Sequence, residues 1–254
     1  MVTNTPADPD AVLAIGERVS AIQNTIYGRI FEVAVRCTQP INVAYSTIGL
    51  DLHCDLAYLE SPPGLQLLHC LQFDDEVVGG DSQLMDGFRA AEYVYNTQPH
   101  LFEALCTIPH TLQKVHAERD NPVHMVYRRP HVTTDFYGRL SGMFWAPPFE
   151  GPLRVPSDYV ELYFEAYVAL GKAMEAAAEN HQLQYRMREG DTIVFNNRRM
   201  LHGRSAFASP IQGKRRVLRG CYINIDEFLS RLQHLNTAAD KPLFMGAVGN
   251  QDYA

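Results

Sequence analysis

Apolar and polar positions alternate in short stretches along most of this chain, interrupted by segments at helical spacing. Val12, Ile15, Val19 and Ile22 recur three and four apart, which predicts a short helix over 11–21. Residues 65–71 form an apolar run behind Pro62, Pro63 and Gly64, and Gly79-Gly80-Asp81-Ser82 marks a turn, so strand, turn and strand are expected there. Asp86 is a suitable N-cap for a helix through Val94, and Pro99 opens another to Cys106. Residues 123–127 and 132–136 are β-prone. The clearest helix is 157–180, with Ser157 as N-cap and a core stripe of Val160, Tyr163, Phe164, Tyr167, Leu170 and Met174. Residues 184–187 and 192–195 flank Glu189-Gly190-Asp191, the pattern of an antiparallel hairpin. A last strand over 217–223 precedes a helical turn or two at 226–232. The pattern is mainly β with flanking helices: a sandwich or barrel.

Charge narrows the class. With 22 Lys+Arg against 29 Asp+Glu the chain carries −7, the wrong sign for tracking nucleic-acid phosphates. No run approaches the roughly 18 apolar residues that span a bilayer. Asp8, Asp10 and Glu17 stand where a secretory signal would be basic and then apolar. A cytoplasmic protein with no nucleic-acid or membrane partner is expected. Five scattered cysteines without a CxxC suit a reducing compartment and read as small buried hydrophobes. One continuous domain over 11–236 is expected, after a flexible segment at 1–10 and before a tail at 237–254.

Candidate chemistry begins with His53-Cys54-Asp55. In an extended segment the side chains at i and i+2 leave on one face, so His53 and Asp55 point together. His202 lies just after a predicted strand, far downstream. Two imidazoles and one carboxylate on one face of a metal leave adjacent positions open, as in non-haem Fe(II) oxygenases. A zinc hydrolase uses the same ligand types, so the triad alone does not fix the reaction. Fourteen residues past His202, Arg216 starts an apolar strand; its planar fork is suited to the distal carboxylate of a 2-oxo acid.

These residues fall in a wider pattern. Asn42-Val43-Ala44-Tyr45, His53-x-Asp55, Pro62-Pro63-Gly64-Leu65-Gln66-Leu67-Leu68-His69-Cys70, Gly79-Gly80-Asp81-Ser82, Asp86-Gly87-Phe88 and Asn197-x-Arg199-x-Leu201-His202-Gly203-Arg204 resemble the γ-butyrobetaine dioxygenase family, which includes the trimethyllysine dioxygenases. The resemblance runs from about Asn24 to Leu232. It implies a double-stranded β-helix (jelly roll) with Fe(II) on His53, Asp55 and His202, and O₂ and 2-oxoglutarate as cosubstrates. It further implies that Arg216 holds the C5 carboxylate, Asn42 lines the cosubstrate pocket, and ascorbate supports turnover. Tyr27, Phe31, Tyr45 and Tyr222 match an aromatic cage for a trimethylammonium group, whose charge ring faces attract.

The sequence departs from the family at several points. Phe31 and Arg198 stand where tryptophan is usual, and the run 139–150 has no asparagine where the butyrobetaine enzymes place some near the substrate carboxylate. Trp145 is either core or a replacement wall. No counterpart of the family's N-terminal domain and early strands is seen before Ala11; were those strands absent, an open sheet edge would be expected, which a homodimer would cover. The expected activity is hydroxylation of γ-butyrobetaine to L-carnitine. The alternatives are the same chemistry on trimethyllysine or another small acid or amine, and an inactive binding module.

Overall fold

The computed structural model describes residues 1–34, 46–118, 121–208 and 213–243. The chain enters through helix α1 (Ala11–Val19) and strand β1 (Phe31–Val33), then β2 (Leu50–His53), β3 (Leu65–Phe73), β4 (Val78–Gly79) and β5 (Ser82–Asp86). Helices α2 (Gly87–Thr97) and α3 (Pro99–Thr107) lead to two hairpins, β6 (His110–His116) with β7 (Val123–Arg129) and β8 (Val132–Thr134) with β9 (Leu140–Met143). The long helix α4 (Val160–His181) returns the chain to β10 (Leu183–Tyr185), β11 (Thr192–Asn196), β12 (Met200–Arg204), β13 (Phe207–Ala208), β14 (Arg216–Ile223) and α5 (Ile225–Ala238).

Eight strands form two four-stranded antiparallel sheets, β1-β14-β3-β11 and β10-β5-β12-β2, the expected jelly roll. Neighbours in each sheet come from distant parts of the sequence, as a double-stranded β-helix requires. Leu65, Leu67, Cys221 and Ile223 fill one part of the core on the β3–β14 pair, and Cys70, Ile193, Phe195 and Leu218 fill another. A third and larger apolar cluster sits where α2, α3 and α4 pack on one another and on the hairpins, around Val94, Leu105, Leu112, Met143 and Leu170. Each fully buried side chain of this size contributes roughly 1.5–3 kcal/mol.

Local chemistry explains most boundaries. The Asp86 carboxylate accepts from the Phe88 N–H and caps α2 as expected. Pro99 sits at the first turn of α3. Asn224 accepts from the Asp226 N–H and starts α5, which is much longer than the predicted helical turn or two.

Four expectations need correction. Ser157 does not cap α4: residues Ser157–Tyr159 form a 3₁₀ turn, and the hydroxyl bonds Asp158 instead. Val160 and Phe164 of the predicted core stripe face solvent, because the buried face of α4 is Tyr163, Ala166, Leu170, Ala173 and Met174. The second β-prone piece stops at Thr134, where the Asp135 carboxylate accepts from the Tyr137 and Arg139 N–H groups and turns the chain. The hairpin around Gly190 is not one. Its arms join different sheets, β10 on β5 and β11 on β3, because each finds an apolar partner there. The lead-in at 1–10 lies against that turn, with Val2 and Thr192 exchanging backbone hydrogen bonds of 2.8 Å.

Asn197, a buried polar residue, holds the chain just past β2. Its amide accepts from the Asp55 N–H (2.9 Å) and donates to the Asp55 carbonyl (2.9 Å), satisfying both backbone groups of a residue outside any strand. Asn197→Ala leaves both part-buried groups unpaired, so urea denaturation should show a loss of about 2 kcal/mol at roughly 1 kcal/mol per group.

Candidate metal centre and its cavity

The antiparallel register sets the site. His53 and His202 are direct cross-strand partners on β2 and β12, and their rings lie 4.4 Å apart between centroids. Asp55 follows β2, and Leu56 then turns the chain with φ of 56°. The Asp55 carboxylate thereby reaches His53 Nε2 (3.5 Å) and His202 Nε2 (3.6 Å). One ligand atom from each of the three lies within 4.8 Å of the others, and among the described residues no other group of three has this arrangement.

Hydrogen bonds orient the donors. The Asp51 carbonyl faces His53 Nδ1 at 2.7 Å; a carbonyl only accepts, so Nδ1 carries the proton and Nε2 keeps its lone pair for a metal. Asp55 Oδ2 accepts from Gln66 Nε2 and from the Tyr222 hydroxyl, both at 2.8 Å. Gln66 and Tyr222 are themselves cross-strand partners on β3 and β14, so one sheet buttresses a carboxylate carried by the other.

The electrostatics follow from this crowding. Burial would raise the Asp55 carboxyl, but the charge of His202, the hydrogen bond and charge of His53, and the Tyr222 hydroxyl outweigh it and hold Asp55 well below the usual range. Burial also works against a charged His53, yet its bond to Asp55 prevails and raises it above 6.5. His202 is pushed down to about 4 by burial and by its neighbour His53. Two imidazole nitrogens and an ionised carboxylate converging in a largely buried recess fit a divalent cation.

The triad opens into a cavity lined mainly by apolar and aromatic side chains. Tyr27, Phe31 and Tyr222 line it, Phe31 stacking on Tyr222 at 4.8 Å, and Arg216 lines it too. Asn42 and Tyr45 lie outside the described residues. Trp145 is not a wall: it is core, 8% exposed, stacked on Tyr167. Arg198 bonds the Pro62 carbonyl and the Ser61 hydroxyl and belongs to the scaffold.

Several lining residues escaped the sequence reading. Arg204, Ser82, Tyr58 and Phe149 all face the cavity. Arg204 had a usable signal, since i+2 from His202 on a strand puts it on the same face. Phe149 comes from the asparagine-free run and arrives on a 3₁₀ turn that periodicity does not reveal. Arg216 donates from Nε to the Gly80 carbonyl (2.8 Å) and is pushed down to about 10 by burial and by Arg204, so it remains charged at neutral pH. Gly80 is needed there: it has φ of 79°, and a Cβ would lie 2.9 Å from Arg216 Cδ. Two desolvated guanidinium groups in one recess favour an anionic ligand.

Residues 1–222 match the family described as taurine catabolism dioxygenase TauD, TfdA. A γ-butyrobetaine dioxygenase of Pseudomonas sp. (strain AK-1) is 32% identical over 230 residues, covering 89% of this chain and 56% of the relative. A mitochondrial trimethyllysine dioxygenase of Gallus gallus is 30% identical over 237 residues, 92% of this chain and 54% of that protein. The chain thus spans about half the length of the curated relatives it matches. Among solved structures, an asparagine oxygenase in complex with Fe(II), a hydroxyasparagine and succinate superimposes with a TM-score of 0.66 at 16% identity, covering 88% of this chain and 70% of that one. That likeness supports the fold.

Cation binding at the triad should depend on pH in one direction. A protonated imidazole cannot ligate, so affinity is lost as pH falls through the raised pKa of metal-free His53. Titrations with Co(II) followed by visible absorption should tighten about tenfold per pH unit below that point and level off above it. Asp55→Asn should abolish the binding.

Proposed function

The chain belongs to the TauD, TfdA dioxygenase family, and from that premise we propose that it is an Fe(II)- and 2-oxoglutarate-dependent dioxygenase. In this reading it hydroxylates an unactivated C–H bond of a small quaternary-ammonium compound, γ-butyrobetaine first among them. The observation that carries it is the cavity. It joins the metal-ligating triad to a buried arginine pair on one wall and an aromatic wall on another.

Fe(II) on His53, Asp55 and His202 would supply oxygen activation coupled to decarboxylation of 2-oxoglutarate to succinate. The chain's own residues do the rest. Arg216 pairs with the distal carboxylate of the cosubstrate, and Arg204 adds positive potential beside it. Gln66 and Tyr222 keep the Asp55 carboxylate from rotating away, and its ionised state requires no external base. Tyr27, Phe31 and Tyr222 line the aromatic side of the cavity, whose rings would attract a cation that cannot donate a hydrogen bond. Tyr45 and Asn42 belong to this reading as the fourth cage residue and a cosubstrate contact.

Trimethyllysine is the second substrate to consider. Pro148 and Phe149, from the run 139–150 that lacks the asparagines of the butyrobetaine enzymes, line the cavity, which favours a substrate with a different tail. The free, buried cysteines Cys54, Cys70 and Cys221 support a reducing compartment. Among the described residues no helix is long and apolar enough to cross a membrane.

Succinate release with Fe(II), ascorbate and 2-oxoglutarate should rise when γ-butyrobetaine is added, with hydroxylated product visible by mass spectrometry. Stimulation by trimethyllysine alone would move the substrate assignment, and no iron-dependent succinate at all would remove the enzyme. Arg216→Ala should raise the KM for 2-oxoglutarate about 30-fold or more, the equivalent of at least about 2 kcal/mol for a buried charge partner, with little change in Co(II) affinity.

A further inference from the structure

Under α4 lies a group of buried polar rings that the metal centre does not use. His131, 1% exposed, has Nδ1 3.2 Å from the Phe144 carbonyl and Nε2 3.1 Å from the Tyr163 hydroxyl. The carbonyl can only accept, so the proton is on Nδ1 and Nε2 accepts from Tyr163. Next to it lie Tyr167 and the Glu150 carboxyl, which burial raises and whose Oε1 has no hydrogen-bond partner. The Tyr163 phenol therefore points its proton at His131.

The rings are continuous. Trp145 stacks on Tyr167 at 4.7 Å, Tyr167 lies 6.0 Å from Tyr163, and His131 is within 5.8 Å of all three. At the inner end the Trp145 carbonyl accepts from the Cys54 N–H (2.8 Å), and Cys54 is the residue between His53 and Asp55. At the outer end Tyr163 meets Phe164 edge-on at 5.2 Å, and Phe164 is 51% exposed. Packing alone does not call for this chemistry, because phenylalanine would fill much of the same space without burying hydroxyl, imidazole and carboxylate groups.

We propose that Trp145, Tyr167 and Tyr163 form an electron path that discharges the metal centre when oxygen is activated with no substrate C–H in place. The proposal rests on the iron-oxygenase reading above. Trp145 gives one electron to a one-electron oxidant of the iron–oxygen class at the triad, which takes its proton from water. Tyr163 returns an electron to the Trp145 radical cation through Tyr167. Its O–H bond breaks, and the proton moves to His131 Nε2, leaving a neutral tyrosyl radical beside an imidazolium. A small enediol reductant such as ascorbate then supplies one electron, and His131 returns the proton to the tyrosine oxygen. The net result is one electron passed from reductant to oxidant, with the protein unchanged. Burial pushes His131 down to about 4, making it a weak base, so only a strong oxidant draws an electron from Tyr163.

The test is freeze-quench electron paramagnetic resonance of the Fe(II)-loaded chain mixed with 2-oxoglutarate and oxygen, with no primary substrate or reductant. A tyrosyl radical is expected, its hyperfine pattern collapsing on ring-deuterated tyrosine and its signal lost in Tyr163→Phe. Trp145→Phe should also lose it. Peptide mass spectrometry should then find more added oxygen on Tyr27, Phe31 and Tyr222 in both variants. Should Tyr163→Phe misfold, Tyr167→Phe interrupts the same path. Consumption of 2-oxoglutarate without a radical overturns the path alone, as does a radical that survives Tyr163→Phe and disappears in Tyr58→Phe. Absence of iron-dependent consumption overturns the enzymatic reading and this inference together.

Discussion

One carboxylate, Asp55, ties the two sheets of this molecule together. It is carried past the end of β2 in one sheet and accepts hydrogen bonds from Gln66 and Tyr222 of the other. Its backbone is satisfied by Asn197, beyond the end of β11. A buried carboxylate with no partners would carry a desolvation penalty of several kcal/mol. Here two imidazoles, an amide and a phenol offset it. Removing any one leaves the others facing an undercompensated charge, so the centre and the sandwich are stabilised by the same contacts.

The cavity divides its charges with the same economy. Negative potential is confined to the triad side, with Asp51 and Asp55, while Arg204 and Arg216 make a positive wall. Aromatic faces occupy the space left. A neutral apolar ligand would use neither guanidinium group, and an anion alone would make no use of the tyrosine rings. The surface suits an anion and a cation bound together, which agrees with a reaction of two small partners held side by side.

Much of this was legible in the chain before folding. Period-2 geometry puts His53 and Asp55 on one face, while the family resemblance adds His202, which the pattern places just after a strand and the fold places on β12; Asp86 and Pro99 announce their helices by capping chemistry. What stayed hidden depends on contacts between distant segments. The arms around Gly190 look like a hairpin, and only competition from β3 and β5 parts them. Val160 and Phe164 repeat at helical spacing but sit on the outer side of α4, since periodicity gives a face and not its width. Gln66 is a polar residue inside an apolar run; its partner Asp55 becomes apparent only when β3 crosses the second sheet. Phe149 reaches the cavity on an irregular turn that no repeat encodes.

The pairing of His53 with His202 has a consequence for how the molecule matures. Side chains alternate across a strand, so a slip of one residue between β2 and β12 would turn one imidazole to the opposite face. A chain misassembled in this way would lack a ligand and would bind iron poorly. Cation binding at the triad would draw the population toward correctly registered chains by mass action.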